Sequence, residues 1–237
     1  MHQISIYNGS GVSQHLLCHT LHTCQKLWPD AQVARITAKS ILQKNGLTFT
    51  DLLIFPGGAD IPYKNSLNGK GNENIRTFIE SGKIVLGICA GSYYLSDEVQ
   101  FALGTSIAVH EKRELKFFSG IARGPHIPPF DYQSLNGVKA VTVYCKGHKP
   151  LSLYYNGGGS FLNASTYPNT KVIATYDDQG QNAAIIECQV GKGKAILSAL
   201  HIEYDPIDMP HPDLKPINRK LKMDDEGRLA LFRSLLS

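Results

Sequence analysis

The sequence predicts an α/β fold: a three-layer sandwich whose central sheet is mostly parallel and gains an antiparallel extension in the second half. Three observations carry this. Short apolar runs alternate with helical patterns over residues 3–94, the signature of parallel strands joined by crossover helices. Three of those runs end directly in glycine-bearing turns, at 8–11, 56–59 and 87–91. From residue 138 the helical patterns give way to short strand-like runs separated by turns.

Taken in order, residues 3–7 form a first buried strand that ends in Asn8-Gly9-Ser10-Gly11. Ser13 is placed to cap the next helix, with Leu17, Leu21, Cys24 and Trp28 on one face at helical spacing. Residues 32–36 make a second strand and 38–44 a short helix. Residues 51–55 make a third strand, closed by Pro56-Gly57-Gly58. A helix over 72–81 leads to a fourth strand, 83–88, and a helix begins at the turn after it. In the second half, 138–144, 151–155, 171–176, 183–189 and 194–197 read as strands, the last returning to the centre of the sheet. Residues 205–222, with Pro206, Pro210, Pro212 and Pro216, read as a loop, and 226–236 as a closing helix. The whole of 1–237 is expected to be one domain.

Composition narrows the function classes. A formal charge of +4 with scattered basic residues gives no reason to expect nucleic acid or a membrane surface as partner. The dense basic stretch 215–222 reads as a solvated surface. No signal-peptide pattern and no apolar run long enough to span a membrane is present. Five cysteines with no Cys-x-x-Cys fit a reducing compartment, so the cytoplasm is the expected location.

The densest chemical signal is Gly87-Ile88-Cys89-Ala90-Gly91 after the apolar run 84–86. A strand that turns sharply into a helix through Gly-x-Cys-x-Gly exposes the sulfur at its apex, beside the free N–H groups of the helix start. A cysteine nucleophile needs a base and a group to orient that base. The last strand delivers His201-Ile202-Glu203. Residues two apart in an extended segment point the same way, so Glu203 can accept one ring N–H of His201 while the other nitrogen faces Cys89.

These motifs in this order resemble the class I glutamine amidotransferases, over about residues 3–204. The strings Phe55-Pro-Gly-Gly-Ala-Asp-Ile-Pro-Tyr63, Gly87-Ile-Cys-Ala-Gly-Ser-Tyr-Tyr94 and Tyr154-Tyr-Asn-Gly-Gly-Gly159 resemble one branch in particular. That branch is the amidotransferase-like domain at the N-terminus of eukaryotic biotin–protein ligases, found also as stand-alone bacterial proteins. The resemblance implies a flavodoxin-like sandwich and a cysteine-dependent hydrolase or amidase acting on a carboxamide or related carbonyl compound. It makes Cys89 the nucleophile, His201 the base and then acid, Glu203 the orienter, and the N–H groups of Gly58 and Ala90 the oxyanion hole. One departure argues against free glutamine as substrate: Tyr93 stands where these enzymes usually carry Gln, four residues after the cysteine. A phenol cannot reproduce a carboxamide's paired donor and acceptor. The rival reading is a ligand-binding or regulatory domain that keeps the fold without turnover. Related peptidases place histidine directly after the cysteine, where this chain has Ala90.

Substrate contacts are expected from Asp60, Tyr63, Tyr93, Tyr94 and the loop Asn156-Gly157-Gly158-Gly159. For Asp60 the alternative is capping the next turn, and for Tyr63 simple packing. The triglycine loop is either an array of open N–H groups or a flexible turn. His15, Cys18, His19 and His22 fall at helical spacing, but such histidines more commonly flank an amphipathic helix, and no metal is expected. Gly9-Ser10-Gly11 lacks the third glycine of a dinucleotide fingerprint, so no cofactor is expected. The expected partner is a small carbonyl compound, with a protein partner or a second copy of the chain left open.

Overall fold

The structure is a computed structural model that describes residues 1–236. Its strands form one mixed sheet. The parallel part is β2 (Gln32–Ile36), β1 (Gln3–Tyr7), β3 (Leu52–Phe55), β4 (Ile84–Ile88) and β13 (Gly193–Ser198), adjacent in that order. β12 (Ala183–Val190) then pairs antiparallel with β13, as the extension predicted from sequence requires.

Helices cover both faces. α1 (Gln14–Leu27) and α7 (Asp225–Leu235) pack on one, and α2 (Ala38–Leu42), α3 (Asp60–Leu67) and α4 (Lys70–Glu80) on the other. β3 shows why its sequence is apolar throughout. Leu52 and Ile54 face the α1 and α7 layer, whereas Leu53 and Phe55 face the α3 and α4 layer. A strand covered on both sides needs apolar residues at every position.

The segment 96–137, for which the sequence suggested no element, contains β5 (Ser96–Phe101), β6 (Val109–Lys112) and β7 (Phe118–Gly124). β7 and β5 continue the sheet through the short β10 (Ser160–Phe161), and β6 forms the far edge. The inward positions of β7 are Phe118, Gly120, Ala122 and Gly124. They alternate correctly but three are too small to register as an apolar stripe. β8 (Lys139–Cys145), β9 (Leu151–Tyr155) and β11 (Thr170–Thr175) form a branch from β12.

The loop expected at 205–222 is corrected: its second half is a 3-10 turn, Pro212–Leu214, followed by α6 (Lys215–Met223). Pro216 lies in the first turn of α6, where its missing N–H has no acceptor to lose, so it starts a helix rather than breaking one. The basic residues of α6 are exposed while Asn218 and Leu221 are buried. No helix among the described residues is long and apolar enough to cross a membrane.

Candidate active site

β4 ends in Cys89, whose φ of 49° places it in the left-handed region at the elbow. Its N–H donates to Ser198 O on β13 at 2.7 Å, which ties the elbow to the neighbouring strand. A β-carbon at Gly91 would lie 2.1 Å from Phe55 O, so glycine is what lets α5 (Ala90–Tyr94) lie against β3. With five residues α5 adds little dipole, and its contribution is the N–H of Ala90, which has no intrahelical acceptor.

Past β13 the chain runs into His201-Ile202-Glu203, where His201 bridges β9: its N–H donates to Tyr154 O at 2.9 Å. Nδ1 of His201 donates to Glu203 Oε1 at 2.8 Å, and both residues are buried. Burial alone would lower the proton affinity of the ring. The charge of Glu203 and the nearby Cys89 outweigh it and hold the His201 pKa up at about 10. Nε2 has no completed hydrogen bond. The imidazole fits because the turn after β3 carries no side chain there: a β-carbon on Gly57 would sit 2.5 Å from His201 Cε1.

Gly58 adopts φ 146°, and a β-carbon there would lie 2.0 Å from Gly11 O. Gly57 O accepts from Ser13 N–H and Ala59 N–H donates to Gly11 O, while the N–H of Gly58 donates to no backbone carbonyl among the described residues. Gly58, Cys89, Ala90 and His201 all line one cavity of about 130 Å³. Glu203 lies behind it.

Asp60 also lines that cavity. It begins α3 without capping it through its side chain. Arg113 donates to its Oδ2 twice, from Nε at 2.9 Å and Nη2 at 2.6 Å. Arg113 is itself buried and also meets Glu111, which pairs with Lys64 at 2.6 Å. Burial raises the pKa of Asp60, against the pull of Arg113.

The tyrosine expectations separate. Tyr93 reaches the cavity wall, but its hydroxyl donates to Gly157 O at 3.1 Å. Tyr63 and Tyr94 are not among the residues that line the cavity. Tyr63 donates to Pro56 O at 3.0 Å and Tyr94 to Asn72 Oδ1, so both hydroxyls serve the core behind the elbow. In the triglycine loop, Asn156 and Gly157 line the cavity, whereas Gly158 lies against Ala199 and Gly159 against Arg123. The loop is pinned rather than loose: hydroxyls of Tyr93, Tyr155 and Tyr176 donate to the carbonyls of Gly157, Gly158 and Gly159. Asn156 O accepts from Cys89 Sγ at 3.6 Å, and Asn156 Oδ1 is buried without a partner.

Sequence reasoning missed the opposite wall, Phe130, Asp131 and Tyr132, together with Ser13, Leu16 and Phe101. The available signal was an aromatic–acid–aromatic triplet directly after Pro128-Pro129. The histidines of α1 do not converge with Cys18. His19 Nδ1 accepts from Asp205 N–H, and His22 pairs with Asp208. Among the described residues only His22, Asp205 and Asp208 bring three ligand atoms together, and Lys26 Nζ already bonds both carboxylates.

The sequence model of one family, described as biotin-protein ligase, N terminal, matches residues 2–237. The chain belongs to this family. It is 35% identical over 241 residues to a biotin–protein ligase of Schizosaccharomyces pombe, covering 98% of this chain but 37% of the ligase. An uncharacterized protein of Chlamydia muridarum is 35% identical over 212 residues, 87% of this chain and 82% of that one. Among solved structures, a glutamine amidotransferase from Thermotoga maritima superposes with a TM-score of 0.60 at 14% identity, over 99% of this chain and 96% of that one. The biotin–protein ligase N-terminal family therefore has the amidotransferase fold here, with its mixed sheet and helices on both sides.

Proposed function

We propose that the protein is a cysteine-dependent amidase. The observation that carries this is the buried His201–Glu203 pair, whose histidine lines one cavity together with the left-handed Cys89, Gly58 and Ala90. Cys89 Sγ attacks the carbonyl carbon of a carboxamide or related compound. The oxyanion forms between the N–H groups of Gly58 and Ala90, and losing one such donor typically slows acyl transfer by about a hundredfold or more. The C–N bond then breaks as His201 gives its proton to the leaving amine, and a thioester remains on Cys89. Water, deprotonated by His201, releases the acid and restores the thiol. The intact Glu203 carboxylate stabilises the imidazolium throughout. Free glutamine is outside this reading, because the phenol of Tyr93 is committed to Gly157 O. Relatives include a biotin–protein ligase, and this domain's carbonyl substrate is taken to be a small molecule, turned over within the cytoplasm.

The test is the alkylation rate of Cys89 against pH, read by peptide mass spectrometry, in wild type and His201→Ala. Fast labelling at neutral pH that the substitution slows is expected. Equal rates in the two proteins would remove the catalytic pair from the mechanism.

One observation favours a second reading, a ligand-binding domain without turnover: the thiol of Cys89 is engaged by Asn156 O. On that reading a cleft ligand binds Cys89→Ser as tightly as wild type and is recovered unchanged.

A further inference from the structure

The cavity at Cys89 is uneven in its polar groups. Gly58 and Ala90 line it, each with a backbone N–H that meets no backbone carbonyl among the described residues. Its side-chain acceptors include the carboxylates of Asp60 and Asp131. No lysine or arginine lines it among the described residues. The one cationic group on its wall, His201, is balanced by Glu203. Arg113 donates twice to a single oxygen of Asp60, Oδ2, and the backbone N–H of Asp60 also donates to its carboxylate. A buried arginine at that place fixes the carboxylate in position, and Glu111 shares the arginine's charge. Asp131 Oδ1 accepts from Gln133 N–H, leaving Oδ2 for a ligand.

A carboxylate on the substrate would therefore meet two carboxylates and no unpaired cationic side chain on the wall, whereas an ammonium would find two acceptors. We propose that the cleft selects an amide whose acyl group carries an ammonium near the scissile carbonyl and no carboxylate. This rests on the reading of Cys89 as nucleophile. The size of the site agrees with a compact acyl group, since a cavity of about 150 Å³ holds a benzene ring. The remainder of the substrate has a bed. A groove of about 710 Å³ shares Phe130, Asp131 and Tyr132 with the cavity and continues past Leu103, Ile107 and Pro128. It suits an apolar leaving amine, so the class is an aminoacyl amide of an apolar amine.

Charge selection is read without turnover by alkylating Cys89 with 2-bromoethylammonium, iodoacetamide and iodoacetate, each rate divided by that of the exposed Cys18 in the same digest. The cation should exceed the anion at Cys89 by about tenfold or more, the worth of one charge-assisted hydrogen bond. Asp60→Asn should erase most of this preference. Asp131→Asn, at an exposed position, should reduce it in a protein whose fold is not in question. Glycine 2-naphthylamide should slow the labelling at concentrations where its N-succinyl derivative does not. If iodoacetate labels Cys89 as well as the cation does, or the succinyl compound protects equally, the substrate class is overturned and the nucleophile stands. If none of the three reagents labels Cys89, the nucleophile reading itself falls and takes the proposal with it.

Discussion

The hydroxyl of Tyr93 donates to Gly157 O at 3.1 Å, which joins the elbow that presents Cys89 to the loop whose Asn156 carbonyl touches the sulfur. Burial pushes the Tyr93 pKa well above its ordinary value, so the phenol remains a neutral donor at all working pH. The residue that replaces the usual glutamine is thus a strut between two walls of the site.

Tyr93→Phe leaves Gly157 O without this donor in a buried position. The cost is about 1–3 kcal/mol, read as a lower urea midpoint with unchanged slope. Amide exchange over 156–159 should quicken, with smaller changes elsewhere. Substrate preference should shift more than the alkylation rate of Cys89, because the cysteine keeps its own backbone anchor at Ser198.

Gly57→Ala should act on the chemistry through His201. The added β-carbon lands 2.5 Å from Cε1 of the ring and 2.9 Å from Leu16 Cδ1, so the imidazole must move. Cys89 alkylation at neutral pH should fall toward the His201→Ala rate, with far-ultraviolet circular dichroism unchanged.

The His201–Glu203 pair links stability to pH. Burial works against the protonated ring, but Glu203 and Cys89 raise its pKa from 6.5 to about 10 in the fold. A raised pKa stabilises fully below the unfolded value of 6.5, and the gain is lost as pH climbs through the folded value near 10. Wild type should exceed Glu203→Gln in urea midpoint at pH 6, and the gap should close progressively toward pH 10.

Arg113→Met removes the partner of a buried carboxylate. Breaking one half of such a pair typically costs about 3–5 kcal/mol, so a large drop in thermal midpoint is expected. Arg113→Lys should recover only part of it, because one ammonium cannot reproduce the two donors, Nε and Nη2, that now meet Asp60 Oδ2.

The parallel strands were legible because each is a short run of large apolar residues bounded by a turn, as in Leu52-Leu53-Ile54-Phe55 before Pro56. β7 was not, since glycine and alanine fill three of its four inward positions and leave little contrast. α6 was hidden by Pro216, a residue that reads as a breaker until its place in the first turn is known.

In the site, the sequence alone determined the elbow at Cys89, the Pro56-Gly57-Gly58 turn and the His201-Ile202-Glu203 ending. Each is a contiguous pattern whose geometry is contained in a few neighbouring residues. Only the tertiary structure decided that Tyr63 and Tyr94 turn into the core, that Tyr93 braces Gly157, and that Asp60 is held by Arg113, 53 residues away. The direction a side chain takes after a turn is set by which hydrogen-bond partners and packing space the rest of the chain brings to it, and no local spacing encodes those distant groups.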